Sequence, residues 1–521
     1  MLPAAEAVAV VRDARKSPLV GWHRHRAERG TDAPQVRLQS RGPQRNDKQG
    51  MNLSETPRSA KPLAIAVIIL LVIAAGAGVY FFGARFETTP PRITLAPDGA
   101  FIGTAPVEIT VTDSGAGLKS ISVTLTVAGA QTALATEQYA SAVKEKKISV
   151  ALAKLPGVKE GPATLRIVAR DASMWRFFRG NEAVLQKDVT IDITPPTLEL
   201  VADDRYVNFG GVGVIVYKAS ADTATSGVKI GSYFFPGFQG PVKDHPDLYL
   251  ALFAHPYNAP AEARARLVAT DKAGNSREVP LVYELKNVKY RKSTIALTDS
   301  FLQNKVAPLL QDVAARQGTP KEVFVAVNKQ LRKVNEDTIA TVTRKASPAI
   351  LWQGAFAQLS NSKVEANFAD FRTYTYNGEP TDSAYHLGYD LSVTKRYPVE
   401  AANSGVVAYA ADLGIYGNAV ILDHGLGLFT LYGHLSSIDV KVGDKVEKRQ
   451  ILGKTGETGL AGGDHLHYGV YLDGVAVLPV EWWDAKWIDD NISPKLEGRS
   501  GEEIAAAQAK APRSGVRKRR R

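Results

Sequence analysis

Asp464-His465-Leu466-His467-Tyr468, running on into Val470-Tyr471-Leu472, reads as a short strand that carries two imidazoles. In an extended strand residues i and i+2 share a face, about 6.6 Å apart along the chain, so His465 and His467 point to one side. One can bind a metal while the other reaches a substrate or a water. An earlier stretch, Tyr385-His386-Leu387-Gly388-Tyr389-Asp390, supplies what they lack; together the two segments offer three imidazoles and a carboxylate. That suffices to hold a divalent cation and leave a free base beside it. On an uninterrupted strand His386 and Asp390 would lie about 13 Å apart, so Gly388 is expected to mark a bend or bulge. His434, in Tyr432-Gly433-His434-Leu435, ends another strand and adds a further imidazole. The chain has nine His, and five of them (His386, His424, His434, His465, His467) fall between 386 and 467. Such clustering points to chemistry, because neutral imidazole is both the commonest metal ligand and a base near neutral pH.

The surroundings of these residues read as β-structure. Gly405-Val-Val-Ala-Tyr-Ala, Ala419-Val-Ile-Leu-Asp and Leu428-Phe-Thr-Leu-Tyr are short strands, separated by turns containing Gly414, Gly417, Gly425 and Gly427. A compact antiparallel unit is expected over 351–485. Upstream, Phe301-Leu302, Val306, Leu309-Leu310, Val313, Val323 and Leu331 recur at helical spacing, with Thr319-Pro320 as N-cap and first helical residue. A helical connector is expected over 296–350. Further upstream, Thr88-Thr-Pro-Pro-Arg-Ile-Thr-Leu and Thr194-Pro-Pro-Thr-Leu-Glu-Leu open two segments of alternating apolar residues. The segments close on related strand-and-turn stretches, Leu165-Arg-Ile-Val-Ala-Arg-Asp-Ala and Leu267-Val-Ala-Thr-Asp-Lys-Ala-Gly-Asn. Period-two alternation with Gly and Asp turns argues a tandem pair of β-sandwiches, 88–194 and 195–290. By pattern they resemble immunoglobulin-like modules of bacterial envelope proteins. They serve as spacers, or as a surface for envelope protein partners. The expected fold is thus mainly β and multidomain.

A chain of 521 residues with 45% apolar residues is long enough for several packed cores. It lacks cysteine, which excludes disulfides, thiolate metal sites and cysteine nucleophiles. Its net charge of +11 gathers at the ends: residues 1–61 hold twelve Lys/Arg against six Asp/Glu, and Arg513–Arg521 hold six basic residues and no acid. Both ends are expected to be disordered, 1–61 as a basic N-terminus and 486–521 as a basic tail. Residues 1–50 precede Met51, where translation is expected to begin. No nucleic-acid partner is expected. Between Lys61 and Arg85 no charge occurs, and Pro62–Phe82 is long enough to span a bilayer core, which takes about 20 such residues. The excess of basic residues ahead of it places the short end in the cytoplasm and exports the rest. Ala75-Gly76-Ala77 offers a signal-peptidase pattern, but Val79-Tyr80-Phe81-Phe82 carries the apolar run past it and favours an uncleaved anchor over 62–84.

A lone histidine in a β-domain is usually structural, and His-x3-Asp alone is a weak signal. Their joint occurrence with His-x-His, and with Tyr-Gly-His between, points to a metal site. A set of His, Asp and His without Cys suits zinc with one position open to water. At these residues, from about Phe368 to Trp483, the chain resembles the lysostaphin-like, or LytM-type, zinc endopeptidases of bacterial cell walls. Supporting stretches are Tyr416-Gly417-Asn418, Asp423-His424-Gly425, Leu431–Ser436 and Gly443-Asp444-Lys445-Val446 leading to Gly456. The resemblance implies that His386, Asp390 and His467 hold one zinc ion per chain. It also implies that His434 and His465 are the catalytic pair, with either as general base. His424 receives no ligand role and reads as structural. Phe371-Arg372 stands where the family often has Gly-x-x-Arg; Asp370 departs from that glycine. The substrate implied is the peptide cross-link of peptidoglycan, either D-alanyl–diaminopimelate or a glycine bridge. The protein would then be single-pass in a bacterial inner membrane, with its C-terminal part in the periplasm. Three other readings compete. A non-catalytic relative would activate a cell-wall amidase by binding it, but here all five positions are filled. A biotinyl/lipoyl-like barrel, suggested by Val442-Gly-Asp-Lys-Val, leaves the histidines unexplained. A scaffold would work through the sandwiches.

Overall fold

A computed structural model describes residues 61–151, 159–260 and 262–510. Strand makes up 44% and helix 21%, so the chain is mainly β. The expectations for residues 1–60 and for the end of the tail, 511–521, lie outside the described residues. Lys61–Phe82 is one helix of 22 residues, about 33 Å long at 1.5 Å per residue. Its stretch Ala64–Phe81 has a mean hydropathy of 2.7 and buries none of its surface in the protein. By length and composition it can cross a membrane, and a signal sequence would look the same.

Residues 92–191 form two sheets around one core. Arg92–Ala96, Val107–Thr112 and Glu145–Val150 make a three-stranded sheet. Phe101–Ile102, Glu182–Ile191, Gly161–Asp171, Leu118–Val127 and Ala130–Val143 follow one another across a five-stranded sheet. Alternation drives the packing: Ala163, Leu165, Ile167 and Ala169 face inward against Ile109, Val111 and Val123, while Thr164, Arg166 and Arg170 face out. Residues 198–286 repeat the scheme with two four-stranded sheets around Val214, Val228, Phe235, Leu252 and Leu267. The closing turns match in detail. Asp171 Oδ1 accepts the N–H groups of Ser173 and Asn181, and Asp271 Oδ1 accepts those of Ala273 and Asn275. Each Oδ2 takes the side-chain amide of its asparagine, at 2.8 and 2.9 Å.

The C-terminal part is built on an antiparallel sheet. Its strands lie in the order Lys363–Ala366, Tyr389–Ser392, Leu466–Leu472, Leu428–Leu435, Asn418–Gly425, Gly405–Asp412 and Lys445–Val446. Val475–Val477 pairs back onto Leu466–Leu472. The three central strands are buried on both faces. On one face their side chains continue the core of the 198–286 sheets through Trp352, Phe356 and Trp482. On the other, Ile421, Phe429, Leu431 and Tyr471 pack with Phe324, Val327 and Ile339.

Two expectations are corrected. The segment over 296–350 is helical, and Thr319 caps Pro320–Val325 in a reciprocal pair with Glu322. It is nevertheless no free connector. It begins in the strand Lys292–Leu297, which pairs in parallel with Phe371–Tyr376, and its helices contribute Leu302, Val306, Val323, Phe324, Val327 and Ile339 to a core. The tail expected to be disordered from 486 is instead helical over Ala485–Asn491, Ser493–Leu496 and Gly501–Lys510. Ile488, Ile492 and Ile504 are buried, and the Lys495 ammonium is buried against Asp204 of the preceding sheets. That apolar spacing outweighs the surrounding charge.

Candidate metal centre

Three neighbouring strands meet at one level. In the ladder Asp390 stands opposite His467, and His467 opposite Gly433. The hairpin strand Glu379–Tyr385 ends just before His386, and the next strand resumes at Tyr389. Residues 386–388 therefore make the expected bend, which brings His386 Nε2 within 2.9 Å of Asp390 Oδ1. Gly388 serves it by close approach. A Cβ there would come 2.7 Å from His467 Nε2 and 2.5 Å from Tyr468 O.

His386 Nε2, Asp390 Oδ1 and His467 Nδ1 form a triangle with sides of 2.9, 3.1 and 3.1 Å. Donors around an ion at 2.0–2.1 Å stand about 3.3 Å apart in a tetrahedron, so the triangle fits a cation of zinc's size. Two ring nitrogens turned toward each other and toward a carboxylate share at most a proton or two, whereas a divalent cation engages all three lone pairs. His386 Nδ1 donates to Asn367 O at 2.9 Å, which leaves Nε2 as the lone-pair nitrogen. The second oxygen of Asp390 accepts from Arg372 Nη2 at 3.0 Å. Tyr416 packs edge-on to His467 with ring centroids 5.3 Å apart.

His434 and His465 stand beside the triangle, ring centroids 4.8 Å apart. Each donates its Nδ1–H to a backbone carbonyl at 2.8 Å, His434 to Thr458 and His465 to Gly463. Each thus keeps Nε2 for other work, and His465 Nε2 lies 3.5 Å from Asp390 Oδ1. His434 takes a left-handed φ of 61°, a conformation that costs an L residue about 1–2 kcal/mol. The loop ahead of His465 is pinned by Asp464, which accepts from Thr455 Oγ1 and from the Arg396 N–H.

Burial sets the protonation states. It pushes His434 down to about 3, helped by His465 and His467 beside it, and His467 down to about 4. Both rings are therefore neutral, the form that binds a cation or takes a proton. Burial alone would raise the Asp390 carboxyl, but the His386, His465 and His467 rings more than offset it and hold it well below the carboxylate range. His465 is displaced upward: burial lowers it, and the Asp390 carboxylate beside it outweighs burial.

His424 lies in the opposite core. Its ring nitrogens bond Ser404 O and Thr430 Oγ1, both at 2.7 Å, and it packs on Phe356. The other four histidines and Asp390 line one cleft of about 410 Å³. Sequence reasoning missed much of its wall. The sequence marks Arg372 by position but not its partner Asp390, and Tyr416 but not its contact to His467. Thr298, Phe301, Phe324 and Arg332 also line the cleft, from a segment whose helical period gives no clue to where it docks.

Three convergent donors with free bases beside them are the arrangement of a hydrolytic metal centre. Residues 384–479 match the model of Peptidase family M23, and this part of the chain is an M23 domain. Over 95 residues the chain is 39% identical to the DD-carboxypeptidase/endopeptidase Mpg of Neisseria meningitidis, covering 18% of this chain and 22% of that one. It is 40% identical over 91 residues to the peptidoglycan DD-endopeptidase ShyA of Vibrio cholerae, 18% and 21% of the two chains. To stage II sporulation protein Q of Bacillus subtilis it is 37% identical over 116 residues, 21% and 39%. The chain thus spans about a fifth of the length of the first two relatives.

Proposed function

We propose that this chain is a membrane-anchored, zinc-dependent endopeptidase that hydrolyses peptide cross-links of peptidoglycan in cell-wall remodelling. The reading is carried by the triangle of His386 Nε2, Asp390 Oδ1 and His467 Nδ1 on a cleft that also holds two imidazoles of fixed tautomer. In it His386, Asp390 and His467 hold one zinc ion, a choice that suits two imidazoles and a carboxylate. When bound, zinc supplies Lewis acidity toward a scissile carbonyl and makes a water acidic near neutral pH. The chain does the rest. Arg372 holds one oxygen of Asp390 so that the other faces the cation. Thr458 O and Gly463 O hold His434 and His465 with Nε2 free, so one ring takes the proton of the attacking water. That ring then returns the proton to the leaving amine, and the other, when protonated at Nε2, donates to the developing oxyanion.

The names of Mpg and ShyA support a cross-link of the DD type, D-alanyl–diaminopimelate, over a glycine bridge. Residues 62–84 anchor the chain in a bacterial inner membrane, with the C-terminal part in the periplasm. Residues 88–194 and 195–290 are immunoglobulin-like spacers that carry the peptidase of 351–485 toward the wall and offer a surface to envelope partners. A second reading, a non-catalytic member that binds and activates an amidase, draws on Phe301, Phe324 and Arg332, which narrow the cleft. Digestion of purified, cross-linked peptidoglycan by the full chain separates the two. Chelator-sensitive loss of cross-linked dimers, restored by zinc and read by mass spectrometry, is expected. Intact dimers in the presence of zinc-loaded protein would sink the first reading and leave the second.

A further inference from the structure

Between the strands Gly161–Asp171 and Glu182–Ile191 the chain runs through Met174-Trp-Arg-Phe-Phe-Arg179. Phe177 is 95% exposed, Phe178 70% and Trp175 45%. Arg176 and Arg179 are exposed between and beside them and make no ion pair among the described residues. The aromatic side chains are held outward by the backbone. Arg176, Phe177 and Phe178 have φ of 52°, 57° and 68°, one turn of left-handed chain that L residues avoid. The inner side of the loop is firmly fastened. Ser173 Oγ donates to Glu87 O at 2.8 Å and Arg85 O at 3.2 Å, and the Met174 N–H donates to Arg85 O at 2.5 Å. Asp171 accepts the N–H groups of Ser173 and Asn181 from either side.

The place of fastening matters. Arg85 follows the last residue of the apolar helix, Phe82, by three positions, through the single 3-10 turn Gly83–Phe86. At about 2 Å per residue that turn advances roughly 6 Å. The zone between the hydrocarbon core and bulk water is about 5–7 Å deep on each side of a bilayer. Aromatic rings beside arginines suit that zone: the rings sit at headgroup level and the guanidinium groups meet lipid phosphates.

We propose that Met174–Arg179 is a second membrane contact. Trp175, Phe177 and Phe178 enter the boundary between headgroups and acyl chains, and Arg176 and Arg179 bind the phosphates of anionic lipid. The inference rests on reading 62–84 as a membrane anchor. A loop that reaches the same leaflet fixes the first β-module against the bilayer plane.

The chain has no cysteine, so single labelling sites are simple to introduce. Full-length I69C, F177C, F178C and Q131C variants, each carrying an environment-sensitive fluorophore, are reconstituted into nanodiscs of phosphatidylethanolamine and phosphatidylglycerol. Lipids bearing a doxyl quencher near the headgroup or deep in the acyl chain are then added. The labels at 177 and 178 are expected to shift to the blue and lose most of their emission to the shallow quencher. The label at 69 should respond most to the deep quencher, and that at 131 to neither. Quenching at 69 with 177 and 178 behaving like 131 overturns the loop contact and leaves the anchor standing. A blue shift at 177 and 178 without quenching by lipid assigns the loop to a protein surface and also overturns it. No quenching at 69 removes the anchor, and the proposal with it.

Discussion

A Cβ at position 388 would meet His467 Nε2 at 2.7 Å, and behind it the chain is held by the strand carrying Tyr468. Tyr416 packs edge-on against the His467 ring and limits its retreat. Gly388→Ala is therefore expected to leave the fold intact by circular dichroism but to lower metal affinity by about 10–100-fold, the range for disturbed ligand support. Metal titration of the purified full chain measures it. On the proposed function the histidines divide by role. His467→Ala should lose both bound zinc and peptidoglycan hydrolysis, whereas His434→Ala should lose hydrolysis and keep zinc. Metal content and muropeptide release on the same preparations test both; full turnover by either variant contradicts the assignment. The residues of the triangle were legible as a cluster because His-x-His and His-x3-Asp are local patterns. Arg372 and Asp390 are 18 residues apart and meet only through folded strands, so no spacing announces the pair.

At the scale of elements, the short helix Pro479–Trp483 carries Glu481 into the junction with the 198–286 sheets. There Glu481 accepts from Asn208 Nδ2 at 2.7 Å and from the Val212 N–H at 2.9 Å. Both bonds favour the carboxylate, but burial dominates and pushes the group up from 4.5 to about 8. The folded chain thus keeps a proton that the unfolded chain loses. The stability from this site is present below about pH 4.5, declines as pH rises toward 8, and stays low above it. Glu481→Gln removes the dependence. Its Tm relative to the parent is expected to climb between pH 5 and pH 8, on the order of 2–4 °C for each kcal/mol relieved. A constant difference across that range would show that Glu481 is ionised throughout. Elements with strong periodicity were readable, including the Thr319 cap and the inward alternation of Gly161–Asp171. The helices after 485 were not, because the basic tail masks the four-residue spacing of Ile488, Ile492 and Leu496.

For the whole molecule, the decisive fact is how the cores are shared. Residues 92–191 close around a core of their own, while the 198–286 sheets and the M23 sheet share another. Calorimetry of the full chain is therefore expected to show the first module melting as a separate transition and everything from 198 to 510 as one. Separate melting of the second module would mean that the shared core and the Lys495–Asp204 pair contribute little. Sequence could count two similar β-modules from their Pro-Pro openings. It could not tell that one is welded to its neighbour, since burial on both faces of the strand from Val212 to Tyr217 depends on what lies across it. The parallel strand Lys292–Leu297 has a mechanical consequence. It is where the chain enters the M23 part, and six residue pairs join it to Phe371–Tyr376. Tension arriving along the chain at Lys292 pulls lengthwise on that ladder, so its rungs bear load together and do not unzip one at a time. The strand that takes the strain holds Arg372, and so the grip on Asp390 sits directly behind the tow point.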